Sequence, residues 1–278
     1  MNGLLLPLVP KKEVNRFPRP NSLWRDEQEI LMAQISDVYF QQFAGCYQFP
    51  DSFLVLDLET SGLDRNENLI CSIGWCQVKD GQIVDNDEVY LDWRDMPGVD
   101  LNKLQADLDI VASNMLRKDA VLHHTYARLC SDGLPAYQVL QAVLERIEAC
   151  ENRREVIVGH NFIGFDSIFL ANHFDRFLGV NWGWSPDLIL DSGVLEKANQ
   201  LKEFDKPLPM ANETAWDWAK RIANLRRAGV YWSVSHCDKR YGLLAKLNMS
   251  TEVLHSAKFD SLLVAHLVQE YRRLASKV

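Results

Sequence analysis

The sequence of 278 residues lacks paired cysteines. Its six cysteines, at positions 46, 71, 76, 130, 150 and 237, are scattered, and no two stand at a Cys-x-x-Cys spacing. The cysteine spacings typical of zinc fingers and of thioredoxin-like redox motifs are therefore absent. We expect free thiols in the core of a cytoplasmic protein, since disulfides are rare in that compartment.

Long hydrophobic runs are also missing. The apolar stretch Leu4–Leu6 is interrupted by Pro7 and Pro10. It is too short for the hydrophobic region of a signal peptide, and no run approaches the roughly 18 apolar residues of a membrane-spanning helix. We therefore expect a protein that does not associate with membranes.

An excess of positive charge is absent as well. The formal net charge is -8 and the pI is about 5.4, so no general basic field would hold nucleic acid. An enzyme acting on nucleic acid is still possible, because metal-binding carboxylates add acid and a local basic surface can suffice. The composition, with 47% hydrophobic and 24% charged residues, is that of an ordinary globular protein.

The length of the chain predicts one large domain with additions. Residues 1–21 combine prolines with lysines and arginines, and helical spacing follows over 23–43. We predict an N-terminal basic arm and helix over 1–51 and a main domain over 52–278, with an insertion at 198–240.

The hydrophobic patterns of the main domain predict a mixed α/β fold. Strand-like runs occur at 53–58, 69–79, 82–91, 156–158 and 188–190, and helical patterns at 101–115, 136–147, 167–178 and 260–274. The pair Asp80–Gly81 is a strong signal for a two-residue hairpin turn. This order predicts a mixed five-stranded sheet with helices on both faces.

The most informative stretch ends the first strand. Asp57 and Glu59 are two residues apart, so on a strand both carboxylates point to the same face. Neighbouring carboxylates repel and raise each other's pKa. A fold tolerates this most easily when cations lie between them, so the pair predicts half of a divalent-metal site.

Two further segments place acids at the start of helices. Asp166 follows a short strand and a turn that begins at His160 and Asn161, while His255 precedes Asp260 at the start of the last helix. An aspartate at a helix start is usually an N-cap, and that interpretation holds for either residue taken singly. Three such segments around one sheet favour a shared site.

Together these motifs resemble the DEDDh-type 3′→5′ exonucleases of the proofreading (DnaQ-like) superfamily, over roughly residues 52–274. Asp57 through Leu63 matches the first motif, Asn161 through Asp166 the second, and His255 with Asp260 the third. The second motif departs from the usual Asn-x-x-Phe-Asp, since three residues separate Asn161 from Phe165. We expect the extra residue to be looped out at Gly164, which would keep Asp166 in place.

The resemblance implies a ribonuclease H-like fold and a two-metal mechanism. Four carboxylates would hold two Mg²⁺ or Mn²⁺ ions, hard cations that prefer oxygen ligands: Asp57, Glu59, Asp166 and Asp260. His255 would act as the general base toward the attacking water. The backbone at Thr60 would contact the terminal nucleotide and Leu63 would pack on its base, although Leu63 also fits an ordinary turn residue. Asn161 and Phe165 complete the implied substrate contacts.

Other polar residues have plainer interpretations. His160 reads as a structural partner of its turn, and Asp191 as a capping or solvated residue that could also support the site. The pair His123 and His124 looks like a metal pair, but adjacent residues on a helix diverge, so we interpret it as non-catalytic.

The insertion is locally basic. Residues 218–241 contain six lysines and arginines against one acid, interleaved with aromatic residues. This pattern suits phosphate contact and base stacking, and Arg226 and Arg227 are the candidates for it. An amphipathic helix that packs Trp218, Ile222 and Leu225 on the core, with its charges solvated, explains the pattern equally well.

The leading hypothesis is an exonuclease that releases nucleoside 5′-monophosphates from single-stranded 3′ ends of DNA or RNA. A non-catalytic nucleic-acid-binding or scaffold protein with the same fold is the first alternative. A ribonuclease H-like endonuclease fits the acids but not the His255 motif. The sequence leaves the choice of DNA or RNA, the biological pathway and the oligomeric state open.

Overall fold

The structure is a computed structural model that describes residues 49–117, 120–201, 210, 212–226 and 228–275. The predicted basic arm and helix before residue 49, together with Arg227, lie outside these residues. None of the described helices is both long and apolar enough to cross a bilayer.

A six-stranded mixed sheet forms the centre of the molecule. Its strands are β1 (Phe53–Thr60), β2 (Ile70–Lys79), β3 (Gln82–Asp92), β4 (Leu134–Pro135), β5 (Val156–Gly159) and β6 (Ile189–Asp191), in the order β4-β3-β2-β1-β5-β6. Neighbours β1, β2 and β3 are antiparallel, whereas β5 and β6 continue parallel to β1. The predicted count of five strands was wrong, because it missed β4. This strand has only two residues, too few to leave a strand pattern in the sequence.

The β2–β3 connection is the predicted hairpin. Asp80 and Gly81 both adopt positive φ angles, of 50° and 75°. A two-residue turn with two positive φ angles matches the right-handed twist of the flanking strands, and the Asp-Gly pair tolerates it. This turn fixes the register that brings Glu88 of β3 beside Gly74 of β2.

Nine α-helices are described around the sheet. They are α1 (Leu101–Leu116), α2 (Tyr126–Asp132), α3 (Ala136–Asn152), α4 (Asp166–His173), α5 (Ser192–Leu201), α6 (Ala215–Asn224), α7 (Val234–Tyr241), α8 (Leu243–Lys246) and α9 (Ala257–Ala275). A π-helical turn, Phe174–Leu178, extends α4, and single 3₁₀ turns occupy Pro186–Leu188 and Thr251–Val253.

Helices cover both faces of β1, which explains why the strand is apolar on both sides. Leu56 shares a face with its partner Trp75, and α3 approaches that face through Val139 and Val143. Asp57 shares the other face with its partner Gly74, against which α9 begins. A strand enclosed in this way reads as a continuous hydrophobic run, so its two carboxylates stand out.

Much of the basic 218–241 segment is used in structure. Trp218 and Ile222 are fully buried, as the amphipathic-helix interpretation requires, whereas Leu225 follows the end of α6 and is 40% exposed. Arg221 donates two hydrogen bonds to Glu213, at 2.8 and 2.7 Å. Arg240 pairs with the buried Glu196. Among the described residues of this segment, Lys220, Arg226 and Lys239 are exposed and form no ion pair with a described acid.

Candidate active site

Three carboxylates converge on one face of the sheet. Ligand oxygens of Asp57, Glu59 and Asp260 all lie within 4.8 Å of one another. Strand alternation puts the first two on the same face, and the start of α9 brings the third from outside the sheet. The sequence therefore predicted a group that the fold assembles from residues two hundred positions apart.

Close backbone packing makes this convergence possible. A Cβ atom built on Gly74 would lie 2.1 Å from both the carbonyl carbon and the carbonyl oxygen of Ala257. Only a residue without a side chain lets the first turn of α9 rest directly on β2. Asn86 adds hydrogen bonds of 3.0 Å to Lys258 O and 3.4 Å to Ser261 Oγ from the neighbouring strand.

Asp166 adjoins the three carboxylates. It stands at the first position of α4, is 4% exposed, and its Oδ1 accepts a hydrogen bond of 3.1 Å from the backbone N–H of Leu58. That bond attaches the start of α4 to β1 between the two acids of the first motif. Asp166 is also close enough to Asp57 to raise its pKa.

Burial raises the pKa values of all four carboxyl groups, and the charges of neighbouring carboxylates add to the rise. Burial is the largest cause for Asp57 and Glu59, and the charge of Asp260 is the next. Burial also raises the pKa of Asp166 to about 8 and that of Asp260 to about 7. Shifts of this size in one direction mean that the described residues supply too little positive charge here.

The donor set suits a divalent cation. Oδ1 of Asp260 is buried and has no hydrogen-bond partner among the described residues, while Oδ2 accepts a bond of 3.3 Å from the backbone N–H of His255. Leaving a buried carboxylate oxygen unpaired is costly. A cation with oxygen ligands at this point would satisfy the orphaned atom and offset the repulsion.

The turn of the second motif absorbs its additional residue. Asn161 takes a left-handed conformation, with φ of 68°, and its carbonyl accepts a bond of 3.1 Å from Gly164 N. A Cβ on Gly164 would lie 2.9 Å from Asn161 Oδ1, so a larger residue here would require the Asn161 side chain to shift. The tight turn ends at Phe165, and Asp166 keeps the first position of the helix.

Asp191 holds that turn in place. Its carboxylate is fully buried and accepts bonds of 2.9 Å from the backbone N–H groups of Asn161 and Ile163, as well as 3.1 Å from Val194 at the start of α5. The capping role predicted for Asp191 is what the structure has, in its buried rather than solvated form. Its charge in turn contributes to the raised pKa of Asp166.

His160 is built into the structure, as predicted. Its Nδ1 lies 2.9 Å from Ser192 Oγ, and its Nε2 is paired with the carbonyl of Trp232. Burial lowers the pKa of His160 to about 4, so the imidazole is neutral at pH 7. The residue joins the second-motif turn to the segment that follows α6.

The remaining predicted substrate residues lie around the carboxylates. Leu63 is 86% exposed, so its side chain is available for contact. Thr60 is buried, and its Oγ1 donates a bond of 2.6 Å to Gly62 O, which shapes the turn after β1. Phe165 is half-buried against Phe169, with ring centres 4.7 Å apart. His255 is exposed and has a left-handed backbone, with φ of 67°.

Sequence reasoning missed two residues at this site. The first is His124, for which a helical setting was assumed; residues 120–125 are instead a loop. The ring of His124 is 1% exposed, and its Nδ1 lies 3.7 Å from Glu59 Oε2. Burial lowers the pKa of His124 to about 4. A histidine in a loop without periodicity left no signal of its position.

The second is Glu88, whose carboxylate contributes to the raised pKa values of Asp57, Glu59 and Asp260. It accepts hydrogen bonds from three hydroxyl groups: Ser72 Oγ at 2.6 Å, Tyr90 at 3.2 Å and Ser256 Oγ at 2.9 Å. Since Ser256 follows His255 directly, Glu88 fastens the third motif to the sheet. An acid inside an otherwise ordinary hairpin strand was the only hint in the sequence.

Fold and site define an α/β protein with a carboxylate cluster at its central strand, and solved structures share that fold. Escherichia coli exonuclease I with a dT13 oligonucleotide superposes with a TM-score of 0.52 and 13% identity, covering 82% of this chain and 42% of that chain. Its complex with a dA16 oligonucleotide gives 0.51 and 14%, over 82% and 43%. The zinc-bound complex with single-stranded DNA gives 0.51 and 13%, over 82% and 40%.

Sequence comparison adds one relative. The DNA polymerase III PolC-type of Thermotoga petrophila is 28% identical over 131 residues, which are 47% of this chain and 8% of that protein. No protein-family model matches the chain. The chain spans less than half of the exonuclease I chains and less than a tenth of the polymerase. The predicted ribonuclease H-like fold and the resemblance to this group of exonucleases are thus confirmed at the level of the fold.

Proposed function

We propose that this protein is a metal-dependent 3′→5′ exonuclease that releases nucleoside 5′-monophosphates from single-stranded nucleic acid. The observation that carries the proposal is the convergence of Asp57, Glu59 and Asp260 within 4.8 Å, with Asp166 beside them. The fold shared with exonuclease I supports it independently of the acids.

In the proposed site, Asp57, Glu59, Asp166 and Asp260 hold two divalent cations. Bound there, Mg²⁺ or Mn²⁺ would neutralise the carboxylates and stabilise charge on the attacking and leaving oxygens of the phosphodiester. The buried walls exclude bulk water, which strengthens these interactions. Backbone N–H groups hold the carboxylates of Asp166 and Asp260, while strand alternation directs Asp57 and Glu59 to one face.

His255 is the proposed general base. Its ring is exposed at the entrance to α9, and its backbone N–H is fixed on Asp260. A neutral imidazole near pH 7 can take the proton of the attacking water while remaining accessible to solvent. The leaving 3′ oxygen then belongs to the shortened strand, and the phosphate leaves with the released nucleotide.

Specificity for a 3′ end comes from the turn after β1. We expect the backbone at Thr60 to contact the terminal nucleotide and the exposed Leu63 to pack on its base. Asn161 and Phe165 border the same region from the second motif. Arg226, which has no described acidic partner, and Arg227 are the proposed phosphate contacts from the basic segment.

Labelled oligomers test the proposal. Single-stranded DNA and RNA labelled at the 5′ end should give a ladder of shortening products with Mg²⁺ or Mn²⁺, while the same oligomers labelled at the 3′ end should release labelled mononucleotide at once. A closed circular strand should survive, since it offers no end. Cleavage of the circle would indicate an endonuclease, and binding without hydrolysis under both metals would favour the non-catalytic alternative.

A further inference from the structure

A buried lysine that forms no ion pair with any described acid lies near the turn of the second motif. Lys197 of α5 is only 6% exposed. Its Nζ donates a hydrogen bond of 2.6 Å to Ala223 O and lies 4.1 Å from the ring centre of Trp232. No carboxylate among the described residues forms an ion pair with it. Burying an ammonium group in this way is costly and calls for a counter-charge.

A cleft opens beside this lysine. It has a volume of about 490 Å³ and is bordered by Asn161, Gly164, Lys197, Arg226 and Trp232, with no acidic side chain among the described residues that line it. Burial lowers the pKa of Lys197, and the charge of Arg226 lowers it further, whereas Asp191 opposes the shift. The two cations are therefore close enough to repel each other.

The walls of the cleft are fixed by specific contacts. The carbonyl of Trp232 is bonded to His160. Gln200 and Tyr231 exchange two hydrogen bonds, in which Gln200 Nε2 donates to Tyr231 O at 2.6 Å and Tyr231 N donates to Gln200 Oε1 at 2.7 Å. Trp232 also packs against Gly193, where a Cβ would lie 3.2 Å from its ring. Lys197 is thus held at the wall by a built arrangement.

The position of the cleft connects it to the active site. Asn161 and Gly164 belong to the turn that ends at Asp166, so one short segment contributes both to the lining of the cleft and to the carboxylate group. An anion in the cleft would offset the buried ammonium of Lys197. The exposed guanidinium of Arg226 could bind two oxygens of a phosphate at once.

We propose that this cleft binds a phosphodiester group of the substrate strand, upstream of the bond that is cut. This rests on the proposed exonuclease function and adds to it a subsite formed by Lys197 and Arg226. The ammonium acts as a buried point charge, and the guanidinium closes the cleft from the solvent side. Free phosphate or a released mononucleotide carries the same chemistry, so the experiment distinguishes these sources.

Two variants test the subsite: Lys197→Met, which keeps the length of the side chain, and the exposed Arg226→Ala. Binding of a fluorescent single-stranded 16-mer is measured by anisotropy in EDTA, so that hydrolysis plays no part. We expect each variant to weaken binding about tenfold and to reduce the slope of log Kd against log salt by about 0.7 per lost phosphate contact. Lys246→Met is the matched control, since it removes one charge from a lysine that does not line the cleft and that pairs with Glu270.

Thermal denaturation separates loss of binding from loss of folding. Lys197→Met removes a buried charge, so its Tm should equal or exceed that of the wild type while its affinity falls. Unchanged affinity and salt slope in both variants would overturn the proposal. It would also be overturned if Lys197→Met abolished stabilisation by inorganic phosphate or a mononucleotide but left the oligomer Kd unchanged, because the cleft would then serve a free ligand.

The exonuclease function and the phosphodiester subsite can each be refuted without the other. Digestion of the oligomer from its 3′ end by wild type and by Lys197→Met with equal KM would remove the subsite and leave the exonuclease. Strand binding that depends on Lys197, in a protein that hydrolyses nothing with Mg²⁺ or Mn²⁺, would remove the exonuclease and leave the subsite.

Discussion

Gly74 and Ala257 meet backbone to backbone, and a Cβ on Gly74 would lie 2.1 Å from the Ala257 carbonyl. Gly74 is also the ladder partner of Asp57. One glycine therefore sets the distance between the strand that carries Asp57 and the helix that carries Asp260. The geometry of the carboxylate group depends on this contact as much as on the acids.

Gly74→Ala should reduce hydrolysis by at least about tenfold, because the start of α9 must move away from β2 and a displacement of about 1 Å is costly for catalysis. Circular dichroism should show that the fold is retained. Gly183→Ala is the matched control, since no atom lies within 4 Å of a Cβ at that position. If both variants lost activity to the same extent, or if neither lost activity, this role of Gly74 would be contradicted.

His124 should support the site through Glu59. The variant His124→Phe keeps an aromatic ring but removes the nitrogen that lies 3.7 Å from the Glu59 carboxylate. At 3.7 Å this nitrogen forms no hydrogen bond with Glu59. Loss of a polar group beside a metal-binding residue commonly costs 10- to 100-fold in metal affinity or activity, and we expect about that loss here. His123→Phe serves as the control. If His124→Phe bound Mn²⁺ and cut substrate like the wild type, the proximity of His124 to Glu59 would have no functional role.

Stability of the metal-free protein should fall as the pH rises. The folded protein raises the pKa of Asp166 to about 8 and that of Asp260 to about 7, so it keeps protons that the unfolded chain releases near pH 4. The unfolded state therefore binds fewer protons across this window, and the free energy of unfolding decreases from about pH 4 to about pH 8.

Thermal denaturation in EDTA and in Mg²⁺ measures this effect. In EDTA the Tm should decline through the window, whereas saturating Mg²⁺ should reduce the decline, because it binds the ionised carboxylates of the folded state. A Tm that rises with pH in EDTA would show that the four carboxyl groups are not destabilised as described.

Local patterns in the sequence were sufficient for much of the site. Asp57 and Glu59 were readable from strand alternation, and Asp166 and Asp260 from helix starts. Glu88 and His124 were not, because they reach the carboxylates only through the register of the hairpin and the course of a loop. Such positions depend on tertiary structure and leave no periodic signal.

The basic segment 218–241 shows that a local pattern can also suggest a binding role for residues that the fold uses in ion pairs. Counting charges over 218–241 treated every cation alike, yet Arg221 pairs with Glu213 and Arg240 with Glu196. Partners from other elements cannot be read from a local count. Lys197, outside the segment, had no distinguishing pattern either, since only the fold reveals that it is buried and forms no ion pair within the described part of the chain.

The most direct test of the account compares the wild type with Asp57→Asn, which keeps the shape of the side chain and removes its charge. The measurement is the rate of mononucleotide release from a single-stranded oligomer as Mn²⁺ or Mg²⁺ is titrated. The account predicts 3′→5′ release that requires the metal in the wild type and is at least about 10³-fold slower in Asp57→Asn, a loss of several kcal/mol of transition-state stabilisation. Equal rates in the two proteins, or release by the wild type that persists in EDTA, would contradict it.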